Sequence, residues 1–198
     1  AFNKEITIDF EGGTGDGDHV IVVGTAKNDL FNLNEDELRT GTANVSPILF
    51  IPGVEELTLG GRAGNDTFLI DGDQNSRTLN LQGDTGNDAF RIHSANAELN
   101  ITDSAGADFL DFSQANSLVE VNLGMSAGQT QNNVGGNSLQ ITGMIENLDG
   151  SAFDDVLCGN ALANRIRGGA GNDILRGEAG NDTLDGGDGD DILIGGLG

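Results

Sequence analysis

The stretch GSAFDDVLCGNALANRIRGGAGNDILRGEAGNDTLDGGDGDDILIGGLG, residues 150–198, divides without a gap into units of nine residues. Every unit begins with glycine, and its eighth residue is leucine or isoleucine. The sixth residues of the five complete units are Asp155, Asn164, Asp173, Asp182 and Asp191. One oxygen-bearing side chain and one aliphatic side chain therefore recur together at a period of nine.

Longer copies of the same pattern lie upstream. TLNLQGDTGNDAFRI (78–92) matches ELTLGGRAGNDTFLI (56–70) at a spacing of 22, and a third copy, ELNITDSAGADFLDF, starts at Glu98. In each copy an alternating strand leads into a turn that ends in aspartate. We interpret TIDFEGGTGDGDHVIV (7–22) and VEVNLGMSAGQTQ (119–131) as looser copies, the latter with Thr130 in place of aspartate.

Short alternating strands at fixed spacing, with hardly any helical periodicity, predict an all-β solenoid of stacked coils. Two nine-residue units make one coil, so each turn lies over the turn 18 residues away. The copies predict about nine coils, or a rod on the order of 43 Å at ~4.8 Å per coil. We expect one continuous solenoid, with irregular longer coils over 1–149 and a regular roll over 150–198. A β-sandwich is the alternative, but it leaves the near-identical turns unexplained.

The charge of the chain indicates what it binds. Thirty-two acidic residues oppose nine basic ones, a net charge of −23, so the folded chain repels itself unless cations bind. This charge disfavours nucleic acid and anionic membranes as partners. No apolar run approaches the ~18 residues of a membrane span, so we expect no membrane insertion. Apolar residues at 36% argue against disorder, and a merely solvated acidic surface does not explain the regular spacing of the acids.

The turn chemistry favours calcium. Ca²⁺ takes about six to eight hard oxygen ligands, whereas the two histidines and single cysteine make a transition-metal site improbable. Glycines at the first, second and fourth positions allow positive φ and close backbone approach, so that carbonyl oxygens can turn toward an ion. Asp155, Asp173 and Asp191 are expected to stack in one file. Each bare pair ~5 Å apart repels by roughly 3 kcal/mol at an effective dielectric near 20, so folding and metal binding should be coupled.

The units GGAGNDILR, GEAGNDTLD and GGDGDDILI resemble the GGxGxDxUx nonapeptide of the RTX family, the hemolysin-type calcium-binding repeats. The resemblance is close over 150–198, rests on the turn half over 56–112, and is weak elsewhere. It implies a right-handed parallel β-roll with Ca²⁺ as cofactor. Each ion would lie between a turn and the next turn on the same side, held by carbonyl oxygens and the sixth-position aspartates.

The resemblance also implies ligand sets, each of which joins two stacked turns. In the regular roll the sets are Gly168, Ala170 and Asp173 with Gly187, Gly189 and Asp191, and Gly150, Ala152 and Asp155 with Gly169, Gly171 and Asp173. Upstream they are Gly61, Ala63 and Asp66 with Asp84, Gly86 and Asp88, and Gly83, Thr85 and Asp88 with Ser104, Gly106 and Asp108. The opposite edge of the roll offers Gly177, Ala179, Gly180 and Asp182, but Asn164 replaces aspartate beneath Asp182. We expect only one edge of the longer coils to hold ions.

The resemblance to RTX repeats implies a calcium-binding structural module of a secreted or cell-surface bacterial protein, such as an adhesin, surface-layer protein, toxin or exoenzyme. The module would fold on meeting calcium outside the cell. No HExxH, GxSxG or phosphate-loop motif occurs, so we predict no catalytic residues and no enzyme. The alternative is a polysaccharide-acting β-helix module such as a lyase or epimerase. A third hypothesis is an interaction surface, with uncapped coils stacking end to end or contacting a polysaccharide or cell surface.

Overall fold

A computed structural model of the chain describes residues 5–9, 19–35, 37–40, 48–50, 54–93 and 96–198. All regular structure in these residues is β-strand. The strands are β1 Glu5–Asp9, β2 His19–Val23, β3 Leu30–Asn34, β4 Glu37–Thr40, β5 Ile48–Phe50, β6 Glu56–Gly60, β7 Thr67–Asp71, β8 Thr78–Thr85, β9 Ala89–Ile92, β10 Glu98–Ala105, β11 Phe109–Asp111, β12 Glu120–Asn122, β13 Gln131–Val134, β14 Asn137–Thr142, β15 Asn147–Asp149, β16 Val156–Cys158, β17 Arg165–Ala170, β18 Ile174–Arg176, β19 Thr183–Asp188 and β20 Ile192–Ile194. Within the described ranges there is no helix able to cross a membrane.

The strands form three sheets. The seven-stranded sheet has the order β1-β2-β6-β8-β10-β14-β13, the nine-stranded sheet β19-β17-β15-β11-β9-β7-β3-β4-β5, and the four-stranded sheet β12-β16-β18-β20. Neighbouring strands are parallel except where β1, β4, β5 and β13 pair. The predicted all-β class and parallel pairing are confirmed, and the arrangement is consistent with a β-roll.

The register of the regular part follows the nine-residue repeat. In the nine-stranded sheet Asn147 pairs with Arg165, and Arg165 with Thr183, a step of 18 residues each time. In the four-stranded sheet Val156 pairs with Ile174, and Ile174 with Ile192, at the same step. Each unit therefore lies on the unit two places along, as the period predicts.

The upstream copies stack in the same way with longer steps. Glu56 pairs with Thr78 at a step of 22, and Thr78 with Glu98 at a step of 20. The next parallel neighbour of β10 is β14, where Glu98 pairs with Ser138. Because β15 pairs with β11 on one side and β17 on the other, one sheet runs unbroken past residue 150.

Aliphatic ladders fill the interior between the sheets. Leu57, Leu79 and Leu99 lie in register in the seven-stranded sheet, and all three are fully buried. The burial alternates along the strands, so every second side chain packs inward. Full burial of one such side chain contributes about 1.5–3 kcal/mol. Identical side chains at identical places thus favour this register over a slip by one residue.

Aromatic stacking continues one ladder in the nine-stranded sheet. The ring of Phe68 lies between those of Phe31 and Phe90, with centroids 5.0 Å apart on each side and nearly parallel planes. All three rings are fully buried. The stack ties the coils that contain β3, β7 and β9 together.

The two looser copies are placed differently from the prediction. β2 was expected after a turn, but it pairs with β6, which lies before a turn. β2 therefore precedes the turn at 24–29. The copy that matches the others is HVIVVGTAKNDLFNL (19–33). β1 lies antiparallel to β2, and the predicted turn at 10–18 lies outside the described residues. The copy is hidden in the sequence because Lys27 stands where the other turn has Gly64.

The interpretation of 119–131 as a looser copy with Thr130 at the aspartate position is wrong, although a strand and turn residues do lie there. β12 belongs to the four-stranded sheet, and β13 folds back antiparallel on β14, so Thr130 is not at an aspartate position. The copy that actually stacks on 98–111 is SLQITGMIENLD (138–149), which the sequence pattern does not reveal. Its turn ends in Glu146 and is two residues shorter than the turn 103–108. Glu146 still contacts the neighbouring turn, because its Oε2 accepts the N–H of Asp108 at 2.8 Å.

The Phe stack gives a test of the core. Replacing Phe68 with alanine removes both ring contacts and leaves a cavity, so the free energy of unfolding in saturating calcium should fall by about 3–5 kcal/mol. Urea titration followed by circular dichroism measures the loss. Phe153, which is 45% exposed, is the matched control, and its alanine variant should change stability by less than about 1 kcal/mol. Equal losses in the two variants would contradict the packing described here.

Candidate metal sites

The sixth-position side chains form two files along the edges of the sheets. One file stands directly before strands of the nine-stranded sheet and consists of Asp29, Asp66, Asp88, Asp108, Glu146, Asn164 and Asp182. The other stands before strands of the four-stranded sheet and consists of Asp155, Asp173 and Asp191. The sequence predicted the second file in full. It missed Asp29 and Glu146 in the first.

Hydrogen bonds connect each file from coil to coil. The N–H of Asp155 donates to Oδ1 of Asp173 at 2.8 Å, and the N–H of Asp173 donates to Oδ1 of Asp191 at 2.9 Å. In the first file the N–H of Asp66 donates to Asp88 at 2.7 Å, and that of Asp88 to Asp108 at 2.8 Å. Each of these carboxylates thus uses one oxygen to fix the turn beneath it.

The second carboxylate oxygen, Oδ2, indicates whether these turns bind a cation. In the part of the chain that the structure describes, six aspartate Oδ2 atoms are buried and have no N–H or hydroxyl donor: those of Asp66, Asp88, Asp103, Asp108, Asp173 and Asp182. A buried oxygen without a donor costs free energy, and a file of such atoms in a native protein requires an explanation. A hard cation between the turns satisfies them. The donor set of carboxylates beside backbone carbonyls fits Ca²⁺.

The glycines of the turn leave room for these oxygens. At the first position a side chain would collide with the aspartate of the same turn, because the Cβ built on Gly168 contacts Oδ2 of Asp173. The second and fourth positions carry the positive φ, as at Gly169 (124°) and Gly171 (113°). Of the two reasons expected for glycine, lack of space therefore applies at the first position, and positive φ applies at the second and fourth.

Most predicted ligand sets lie on turns that contact each other. Turn 168–173 lies against turn 186–191, with Gly169 opposite Gly187 and Ala170 opposite Asp188. Turn 61–66 contacts turn 83–88 through the N–H of Gly64, which donates to the Thr85 carbonyl at 3.0 Å.

The other predicted turns also meet in pairs. Turn 83–88 contacts turn 103–108 through the N–H of Gly86 and the Ala105 carbonyl at 2.9 Å. On the opposite edge of the roll, the N–H of Asn164 donates to Oδ1 of Asp182 at 2.9 Å, and the N–H of Gly180 to the Leu197 carbonyl at 2.9 Å. The assignment of these residues as calcium ligands stays a prediction.

The turn at 150–155 differs from the others. Ser151 donates its N–H to Oδ2 of Asp155 at 2.6 Å and its hydroxyl to Oδ1 at 2.9 Å, and Val119 N–H also donates to Oδ1. Both oxygens of Asp155 are thus satisfied within the protein. The predicted set that contains Asp155 has less need of a cation than the set joining Asp173 and Asp191.

One acidic side chain near the turns was not anticipated. Asp103 occupies the first position of its turn, DSAGAD (103–108), where the other turns have glycine. Asp103 joins Asp88 and Asp108 in a group whose ligand atoms all lie within 4.8 Å of one another. Of the residues that the structure describes, only these three form such a metal-ligating group.

Burial makes these carboxyls weak acids in the absence of a cation. Desolvation, partly offset by backbone hydrogen bonds, raises the pKa of Asp66 to about 7 and the pKa values of Asp88 and Asp173 to about 6. Burial likewise raises the pKa values of Asp103 and Asp108. A bound divalent cation would replace the protons that these groups otherwise retain.

The comparison with known families agrees with this geometry. Residues 167–198 match the model of the RTX calcium-binding nonapeptide repeat, in four copies. This segment is thus an RTX repeat, and the RTX nonapeptide family binds Ca²⁺. Such repeats indicate a calcium-binding structural module typical of secreted bacterial proteins. No curated protein matches the chain.

The raised pKa values predict how stability depends on pH. Between about pH 5 and pH 8 the folded, calcium-stripped chain holds protons that the unfolded chain has already released, so its free energy of unfolding should fall as pH rises. Saturating calcium should reverse this trend, because protons compete with the ion. Urea titrations at several pH values measure both slopes.

A pair of variants separates the buried groups from the general charge. Asp66→Asn should flatten the pH slope of the stripped chain, whereas Glu98→Gln, on an exposed side chain, should leave it unchanged. A calcium-stripped chain that is more stable at pH 8 than at pH 5 contradicts the burial argument.

Proposed function

We propose that this chain is a calcium-dependent structural module, a right-handed parallel β-solenoid of about nine coils with Ca²⁺ held between stacked turns. The observation that carries the proposal is the unpartnered Oδ2 of Asp173, a fully buried side chain that lies against the turn 186–191. The RTX match over 167–198 includes this turn pair.

The proposed ligands are the carbonyl oxygens and aspartates of adjacent turns. In the regular roll, Gly168, Ala170 and Asp173 act with Gly187, Gly189 and Asp191. Upstream, the aspartates Asp66, Asp88 and Asp108 take the same role with the carbonyls of their turns. We expect the set around Asp155 to bind calcium more weakly, because Ser151 already donates to both oxygens of that carboxylate.

Calcium binding would be coupled to folding. Stacked carboxylates on successive coils repel one another, and their burial adds a desolvation cost that only a cation or a proton removes. The unfolded chain lacks the stacked turns, so the free energy of binding becomes free energy of folding. The chain should therefore be much less stable at neutral pH without calcium than with it.

The module would consist of two parts of one solenoid, longer coils over 1–149 and a regular roll over 150–198. The continuous pairing of β11, β15 and β17 supports a single stack. We infer that the parent is a secreted or cell-surface bacterial protein, such as an adhesin, surface-layer protein, toxin or exoenzyme. Extracellular calcium modules bind at about 10⁻⁴ to 10⁻³ M, which suits folding after export.

We propose no enzymatic role. The polysaccharide-acting alternative needs a catalytic cluster on a coil face away from the turns. The metal-ligating group found in the described residues lies in the turns instead.

End-to-end self-association is a further proposal, which sedimentation at two calcium concentrations tests.

Circular dichroism tests the folding switch. The calcium-stripped chain at neutral pH should show a weaker strand signal and melt at a lower temperature, and millimolar Ca²⁺ should restore both. Magnesium at the same concentration is the control and should act weakly, because Mg²⁺ requires near-ideal octahedral geometry and keeps its waters. Equal strand content and melting temperature in chelator and in calcium would refute the proposed function.

Asp173 gives the sharpest variant. In saturating calcium, Asp173→Ala should lower the free energy of unfolding by about 3 kcal/mol, because the ion loses a buried carboxylate. Without calcium the same change should be neutral or stabilising, since it removes one repulsive charge from the file.

The matched control is Asp185→Ala, on an exposed carboxylate that lies 3.8 Å from Arg167. That variant should change stability by at most about 1 kcal/mol in either condition. If Asp173→Ala destabilises the chain equally with and without calcium, the residue is structural and the proposed ligand role fails.

A further inference from the structure

We propose that Asp88, Asp103 and Asp108 form a three-carboxylate calcium site that binds more tightly than the other sites of the chain. The inference rests on the proposed function, namely that ions lie between stacked turns. It adds a ligand, Asp103, at a place where the repeat pattern has none.

Asp103 reaches over the preceding turn. It follows Thr102, which pairs with Gln82, and the β8–β10 ladder is irregular from this point. A Cβ built on Gly83 would contact Oδ2 of both Asp103 and Asp88. The missing side chain of Gly83 thus opens a space into which two carboxylate oxygens point.

The three carboxylates are removed from water. Asp88, Asp103 and Asp108 are 1%, 4% and 0% exposed, and the Oδ2 atom of each is buried with no N–H or hydroxyl donor among the described residues. Their Oδ1 atoms have partners: those of Asp88 and Asp108 accept backbone N–H groups of the preceding turns, and that of Asp103 accepts the N–H of Ala105 in its own turn at 3.3 Å. One oxygen per residue is therefore held in place and one is left for a ligand.

The spacing suits a calcium ion. The ligand atoms of the group all lie within 4.8 Å of one another. Calcium–oxygen bonds of about 2.3–2.6 Å let one ion contact oxygens separated by up to roughly 5 Å. One Ca²⁺ can therefore meet all three carboxylates without a change of fold.

The extra charge sets this site apart. The proposed Asp173–Asp191 site offers two carboxylates, whereas this one offers three, and calcium affinity rises with the number of charged ligands and with rigidity. The neighbouring Asp84 adds further negative potential at Asp88. The site should therefore fill first, below the calcium concentration at which the regular roll fills.

Calorimetric titration of the full calcium-stripped chain with Ca²⁺ tests this order. The wild type should show one site at least tenfold tighter than the rest. Asp103→Asn should weaken that site at least tenfold and leave the other sites unchanged. Asp103→Gly, which installs the residue of the other turns, should convert it to an ordinary site. Glu98→Gln on the same strand removes one exposed charge and should leave the tight site intact.

The outcomes separate this inference from the function it rests on. If calcium binds but the tight site is absent from the wild type or survives in Asp103→Asn, the three-carboxylate site is wrong and the calcium module stands. If no calcium binds at all, both fail.

Hydrogen exchange of the wild type is a second test that needs no variant. With one equivalent of Ca²⁺, peptide 98–108 should become protected before peptide 183–194, and the reverse order overturns the inference.

Discussion

The structure depends on buried aspartate oxygens that find no donor in the protein. In the turns that end in Asp66, Asp88, Asp108, Asp173 and Asp182, the aspartate accepts a backbone N–H of the neighbouring turn through Oδ1, as Asp173 does from Asp155, and its buried Oδ2 has no donor among the described residues. The first bond fixes the stacking distance, and the second oxygen makes the stack costly unless a cation or a proton is present. The small residues of the turn follow from the same constraint, because a side chain at Gly168 would occupy the place of the carboxylate oxygen.

Packing and charge act on the coil in opposite directions. The ladders of Leu57, Leu79 and Leu99, and the stacked Phe rings beside them, favour bringing identical residues together. The same register brings identical acids together at the edges, where they repel. A solenoid of this composition is therefore expected to be conditional on its ions, with the apolar ladders determining the register and calcium deciding whether the coils form.

The regular part could be predicted closely because period nine determines register, side-chain facing and turn at once. The stacking of Asp155, Asp173 and Asp191 followed from spacing alone. The misses came where local residues conceal the pattern. Lys27 obscures the turn that ends in Asp29, a shortened turn hides Glu146, and the antiparallel return of β13 has no signal in the period. The sequence spacing also cannot predict that Ser151 donates hydrogen bonds to Asp155. Nor can it predict that the carboxylates of Asp103 and Asp88 lie close together, because both contacts depend on three-dimensional positions.

The most direct measurement is an anomalous-scattering map from crystals of the chain grown in calcium. The account predicts ions between successive turns, about 2.3–2.6 Å from Oδ2 of Asp66, Asp88 and Asp173. Calcium found only at exposed carboxylates such as Asp154 and Asp190, with those buried oxygens bound to no ion, would contradict it.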